Sequence, residues 1–276
     1  MLHRDGTQKN LVPTMNQDKR WLTHAIVRPP GPNFSDGLTS VDLGAPDYQT
    51  ALKQHAKYRE ALRSCGLTLV DLPPDYRYPD STFVEDTAII TERCVVVTRP
   101  GAETRQGETA AIESELSKSF DHIGFIQAPG TVDGGDVCEA GNHFFIGISA
   151  RTNEAGAQQL ADLLLAYDYN SEFVDVRDVK SILHLKSGLS YLGEKQLVVI
   201  DELAGFEQFR RYDLIRVDRG EEYAANCVRI NDFALVAAGF PSFAKRLNEC
   251  GYSTISLEMS EFQKMDGGLS CLSLRF

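Results

Sequence analysis

A module of turn, apolar strand, turn and amphipathic helix recurs along this chain, and few folds can be built from such a repeat. It runs as ERCVVVTRPGAETRQGETAAIESEL from Glu92 and as GNHFFIGISARTNEAGAQQLADLLLAY from Gly141. Weaker copies follow as GEKQLVVIDELAGFEQF from Gly193 and NDFALVAAGFPSFAKRLNECG from Asn231. In the second copy the run 144–148 has strand composition, while Ala155, Leu160, Leu163 and Leu164 give a helix-like face. One such unit cannot hide its own apolar strand, so a radial assembly of similar modules is expected rather than a string of independent domains. A doubly wound sheet, or a coincidence of ordinary alternating elements, is the alternative. Upstream, a helix is expected over about 48–64, closed by Gly66 before the strand LTLVDL. No Ser/Gly-rich linker or charge block marks a boundary after Trp21, so residues 21–276 read as a single domain behind a loose arm, residues 1–20.

Charge and apolar content narrow the function. Lys and Arg number 28 against 39 Asp and Glu, a net charge of −11, which argues against a general nucleic-acid or anionic-membrane binder because such surfaces need a clustered positive field. Hydrophobic residues make up 42% and charged residues 24%, enough to build a core. No apolar run approaches the roughly 20 residues needed to cross a bilayer, and the first residues lack the apolar middle of a signal peptide, so a cytoplasmic location is expected. The cysteines, Cys65, Cys94, Cys138, Cys227, Cys250 and Cys271, are scattered, with neither a CxxC pair nor zinc-ligand spacing. Most are expected to be small buried hydrophobes.

Three segments stand out as able to carry chemistry. Asp80, Glu85 and Asp86 flank a Phe-Val step where LPPDYRYPDSTFVEDTAII turns into an apolar strand. The segment GTVDGGDVCEAG brings Asp133 and Asp136 around paired glycines, where carboxylates can orient a histidine or hold a cationic substrate; an Asp-Gly hairpin turn is the plainer reading. His184, in the mostly uncharged SILHLKSGLSYL, can exchange protons near neutral pH or simply be structural. A second Asp-Gly-Gly, in EFQKMDGGLSCLSLRF, precedes Cys271, a sulfur that either faces a cleft after a tight turn or fills the core of a terminal strand.

These segments resemble, in order, the dimethylarginine dimethylaminohydrolase family, a branch of the guanidino-group-modifying superfamily. The resemblance runs through LTSVDLG, LPPDYRYPDSTFVEDTAII, TRPGAETRQGE, APGTVDGGDV, FFIGISARTNEAGA, LHLKSGLSYL, YAANC and MDGGLSCLSLRF, nearly the whole chain after about residue 21. It implies an α/β fold, a five-bladed pseudo-symmetric propeller of ββαβ-like modules, making 21–276 a single catalytic domain. It implies Cys271 as nucleophile, His184 as general acid and base, and Asp133 as the acid orienting that histidine. Asp86 and Asp266 would bind the guanidinium, with Leu38, Asp80, Glu85, Arg105, Arg151 and Met265 around the substrate, the arginines suited to a carboxylate by their planar donor geometry.

The implied reaction converts Nω,Nω-dimethyl-L-arginine, or its monomethyl form, to L-citrulline and dimethylamine or methylamine through a cysteine S-alkylthiouronium. It calls for no metal and no organic cofactor. The substrate is a small molecule, with neither nucleic acid nor membrane as partner, and family similarity alone implies a homodimer. Two rivals are an arginine or agmatine deiminase, and a non-enzymatic arginine-binding protein on the same scaffold. Arg105 and Arg151 favour an amino-acid substrate over agmatine.

Overall fold

The computed structural model describes residues 21–276, so the expected arm at 1–20 lies outside the described residues. The chain is α/β. It opens with β1 (His24–Val27), α1 (Tyr48–Ser64) and β2 (Thr68–Asp71). Four further modules follow, built on the pattern strand, strand, helix, strand: β3 (Ala88–Ile90), β4 (Val95–Val97), α2 (Thr109–Leu116) and β5 (Ile123–Phe125); β6 (Val137–Ala140), β7 (His143–Ile148), α3 (Glu154–Leu165) and β8 (Asn170–Asp175); then β9 (Leu189–Gly193), β10 (Gln196–Val199) and β11 (Asp213–Arg216), where only the short 3₁₀ turn Glu207–Phe209 replaces the helix. The last is β12 (Val228–Ile230), β13 (Phe233–Ala237), α4 (Pro241–Glu249) and β14 (Ser253–Leu257), followed by the short helix α5 (Ser260–Gln263) and by β15 (Leu274–Arg275).

In every sheet the middle strand pairs antiparallel with one neighbour and parallel with the other, as a ββαβ unit requires. The opening module borrows its missing strand from the far end of the chain, with Ala25 opposite Arg275 and Ile26 opposite Leu274. All four repeat copies read from the sequence fall on the middle strand and the connection after it.

The five-bladed propeller is corrected. The strands form five separate three-stranded sheets, orders β15-β1-β2, β3-β4-β5, β6-β7-β8, β9-β10-β11 and β12-β13-β14, and among the described residues they are not closed into a barrel or propeller. Each middle strand satisfies its hydrogen bonds within its own sheet, so the sheets meet through side chains. Ile26 and Leu274 of one sheet pack with Ala88, Val95 and Val97 of the next in a common cluster that also holds Ile112 and Leu116 of α2. A sequence repeat specifies the module, not its closure.

Local signals explain the helix bounds. Asp47 caps α1 by accepting from the backbone N–H of Thr50 at 2.7 Å, and Asn153 caps α3 by accepting from Gly156 at 2.8 Å. Such caps are worth about 1 kcal/mol each. The cap at Asn153 also sets the phase of α3: Gly156, Ala157, Leu160 and Leu164 face the core, whereas Ala155 is exposed and Leu163 only half-buried, a partial correction of the expected face.

Candidate active site

Five short 3₁₀ turns position the polar residues. Each stands just before the first strand of its sheet: Val84–Thr87 before β3, Gly134–Asp136 before β6, Leu185–Ser187 before β9, Glu222–Ala225 before β12 and Ser270–Leu272 before β15. Within or beside them lie Asp86, Asp133, His184, Asn226 and Cys271. The turns touch in succession, the fifth against the first, the first against the second, and so on to the fourth. The structure thus gathers four of the residues read from the sequence on, or directly before, four of these turns.

The second and third turns form a buried acid–imidazole pair. His184 Nε2 lies 2.9 Å from Oδ2 of Asp133, whose other oxygen accepts from the backbone N–H of Gly101 at 2.8 Å. Asp133 is 0% and His184 6% exposed. The paired glycines serve close approach: a Cβ on Gly134 would lie 2.0 Å from the Glu85 carbonyl oxygen, and one on Gly135 2.8 Å from the imidazole Cγ of His184. The segment for which a plain hairpin turn was the alternative is a 3₁₀ turn packed against the segments that carry Glu85 and His184.

Asp86 ties the first turn to the second and to Arg105. Its Oδ1 accepts from the Gly135 N–H at 2.9 Å, and its Oδ2 pairs with Arg105 at 2.7 Å. Burial pulls the imidazole of His184 down, but Asp86, Asp136 and the bond to Asp133 outweigh it and raise its pKa to about 9. Burial drives the Cys271 thiol the other way, and Glu85 and Asp86 add to it, so its pKa is pushed up to about 12. An imidazolium and a neutral thiol follow near pH 7, both within the field of Asp86. Cys271 is half-buried, and its sulfur accepts from the Gly268 N–H at 3.4 Å.

The remaining residues read from the sequence fall into two groups. Leu38, Asp80 and Asp266 lie along the loop after β1: the Leu38 N–H donates to Asp80 at 3.1 Å, and Ser40 donates its N–H and Oγ–H to Asp266 at 2.5 and 3.1 Å. Leu38 is 41% exposed, whereas Met265 is buried in the core with Phe34 and Phe262. Arg105 is buried and engaged, by Asp86, by Glu108 at 2.9 Å and by the Phe83 carbonyl at 3.2 Å. Arg151 is half-buried and makes no ion pair among the described residues. Glu85 is turned away from the acid–imidazole pair, holding Lys186 at 2.6 Å, Arg275 at 3.0 Å and the Ser270 hydroxyl at 2.6 Å.

Several polar residues of this network escape a reading of the sequence by motif. Asp136, noticed beside the glycines, accepts from Ser149, Thr152 and the Leu185 N–H and adds to the field on His184. Lys186 carries one signal, a cation two residues after the histidine in an apolar stretch. Ser270 and Asn226 carry none beyond their place in LSC and AANC. A cavity of about 240 Å³ is lined by Glu85, Lys186 and Ser270 and by the first strands of all five sheets; Cys271 and His184 do not line it. Asp86, Asp133 and His184 offer atoms within 4.8 Å of one another, the spacing of a metal site. Arg105, Gly101, Gly135 and the His184–Asp133 bond already occupy those atoms, so the set is self-satisfied.

This geometry accords with the likeness to known proteins. The family model described as arginine deiminase matches residues 49–239. The N(G),N(G)-dimethylarginine dimethylaminohydrolase of Pseudomonas aeruginosa is 43% identical over 254 residues, 92% of this chain and 99% of the relative. The protein of that name from Streptomyces coelicolor is 34% identical, covering 91% of this chain and 96% of its own. A solved structure of the Pseudomonas aeruginosa protein complexed with citrulline superposes with a TM-score of 0.91 at 42% identity, over 93% of this chain and all of that one, 100%. On this identity and coverage, the chain belongs to the dimethylarginine dimethylaminohydrolase family of the arginine deiminase superfamily.

Proposed function

We propose that this chain hydrolyses Nω,Nω-dimethyl-L-arginine and Nω-monomethyl-L-arginine to L-citrulline, releasing dimethylamine or methylamine through a covalent S-alkylthiouronium on Cys271. The observation that carries this reading is the pairing of His184 with the fully buried Asp133, on turns continuous with the one that bears Cys271.

The charge states order the steps. A cationic guanidinium settling against Asp86 and Asp266 compensates the acidic field that holds the thiol neutral, so substrate binding itself favours loss of the Cys271 proton to solvent. The thiolate attacks the guanidinium carbon. His184, already an imidazolium, gives its proton to the departing dimethylamine as the C–N bond breaks, leaving the thiouronium. Neutral His184 then takes a proton from water, the hydroxyl adds to the same carbon, and the C–S bond breaks to release citrulline and the thiol. Asp133 keeps the imidazole oriented and charged before the first transfer.

Arg105 and Arg151 are the residues read for the α-carboxylate; Arg151 makes no ion pair among the described residues, while Arg105 also holds Asp86. Leu38, Asp80, Glu85 and Met265 complete the surroundings. Residues 21–276 are read as one catalytic domain behind an arm, and a homodimer belongs to the same reading by family likeness. So does a cytoplasmic site of action, which six free thiols support.

The test incubates wild type and Cys271→Ser with dimethylarginine, monomethylarginine, arginine and agmatine, measuring citrulline and each released amine. Cys271-dependent, methylarginine-selective turnover is the expected result. Faster turnover of unmethylated arginine would make the chain a deiminase, and binding without amine release would make it an arginine-binding protein.

A further inference from the structure

We propose that Asn226 is a positioning residue that locks the turn carrying Cys271 to the segment carrying His184. This inference rests on the reading of Cys271 and His184 given above.

Four of the five turns before the first strands bear a residue used in the proposed chemistry. The fourth, Glu222–Ala225, ends on Asn226, which the reaction does not touch. Asn226 is 5% exposed, yet its side chain is saturated by functional neighbours. Its Nδ2 donates to the carbonyl oxygen of Lys186, two residues after His184, at 2.8 Å, and to Oγ of Ser270 at 3.0 Å. Its Oδ1 accepts from the backbone N–H of Ser270, the residue before Cys271, at 2.9 Å. One amide thereby grips both segments, and it also joins the fourth turn to the fifth.

Two further observations fit a positioning role. A Cβ on Gly268 would lie 2.4 Å from Oδ1 of Asn226, so the second Asp-Gly-Gly is glycine where the amide presses on it. The N–H of that same Gly268 points at the Cys271 sulfur, 3.4 Å away. An apolar residue of equal size would fill the space but leave the Ser270 N–H and the Lys186 carbonyl without partners.

The experiment combines Asn226→Ala, Ser270→Ala and the double variant with the wild-type chain. Readouts are kcat and KM for dimethylarginine, the rate of Cys271 alkylation by iodoacetamide without substrate, and thermal unfolding. Displacing a reacting group by about 1 Å costs on the order of 10²-fold. Asn226→Ala is expected to lower kcat about 10- to 100-fold with KM within about threefold, to change the alkylation rate by about fivefold or more, and to be subadditive with Ser270→Ala because the two share one network. A folded Asn226→Ala with kcat and alkylation both within about twofold of wild type overturns the proposal, as does a loss matched entirely by a smaller folded fraction. Should Asn226→Ala not fold, the isosteric Asn226→Asp decides: it keeps the acceptor for Ser270 but loses the donor to Lys186, and wild-type kcat and alkylation in it overturn the proposal. If the wild-type chain releases no amine from dimethylarginine, the proposed reaction fails, and the alkylation rates, which need no substrate, still judge Asn226.

Discussion

The same three residues, Asp-Gly-Gly, occur twice in this chain and end in opposite circumstances. In the first, Asp133 sits in extended backbone at φ −97°, fully buried and bonded to His184. In the second, Asp266 adopts a left-handed φ of 56°, which turns its carboxylate outward to Ser40 on an exposed loop. The glycines behave alike in both, admitting a neighbour closer than a Cβ would allow: the His184 ring against Gly135, the Asn226 amide against Gly268. Glycine in these motifs reports close approach, whereas the acid before it is locked on His184 in one copy and, half-buried beside an exposed loop, more accessible in the other.

The sharpest way to break this contrast is to neutralise the locked acid. Asp133→Asn is expected to lower kcat by about 10²- to 10⁴-fold, the range for general acid–base groups, read as released dimethylamine. It also tests the charge assignment. The folded pKa of His184 stands at about 9, above its ordinary 6.5, so the stability contributed by the imidazolium is complete below about 6.5 and is lost as pH rises through about 9. Wild type should lose thermal stability across that window more steeply than Asp133→Asn, and equal slopes would refute the pairing.

Next in size is Gly135→Ala, whose methyl group must displace the His184 ring, and a loss in kcat of about 10²-fold with near-normal KM is expected. Asp266→Asn acts on the reachable acid and should instead raise KM, by about tenfold, the cost of one charge-assisted hydrogen bond to a guanidinium. A kcat effect in place of a KM effect would mean that Asp266 serves the chemical step. Ser40→Ala removes only one of two bonds from the loop to Asp266, and a change of less than about threefold in KM is expected; a larger change would show that the loop bond matters to substrate binding.

How much of this could be read from residue order alone differs by element. Helix α1 was legible at its end because Gly66 stops it, and the strand–helix copies from Glu92, Gly141 and Asn231 were legible because their apolar periods switch cleanly. The copy from Gly193 has no α-helix after its strand: between β10 and β11 the chain makes only turns, with Gly205 among them, and the 3₁₀ turn Glu207–Phe209. The mutual arrangement of the sheets was not legible: it depends on shared clusters such as the one that holds Ile26, Val95 and Val97, which leave no trace in local pattern. Within the site, Asp133, His184 and Cys271 announce themselves by chemistry or by glycine neighbours. Asn226, Ser270 and Lys186 do not, because a hydrogen-bonding role spread over three segments has no local signature. Arg105 shows the opposite limit, a residue found by sequence whose ion pairs with Asp86 and Glu108 only the fold reveals.

The pairing of β1 with β15 joins the two ends of the described chain, and it stands immediately after the turn that bears Cys271. Synthesis proceeds from the amino end, so Asp86, Asp133 and His184 emerge from the ribosome well before Cys271 does. The sheet that anchors that sulfur is also the one whose closure spans the longest stretch of polymer, the kind of contact that forms late in folding. A nascent or partly folded chain therefore carries Asp86, Asp133 and His184 without an anchored Cys271, and the proposed centre is assembled only when the first and last strands of the described residues have met.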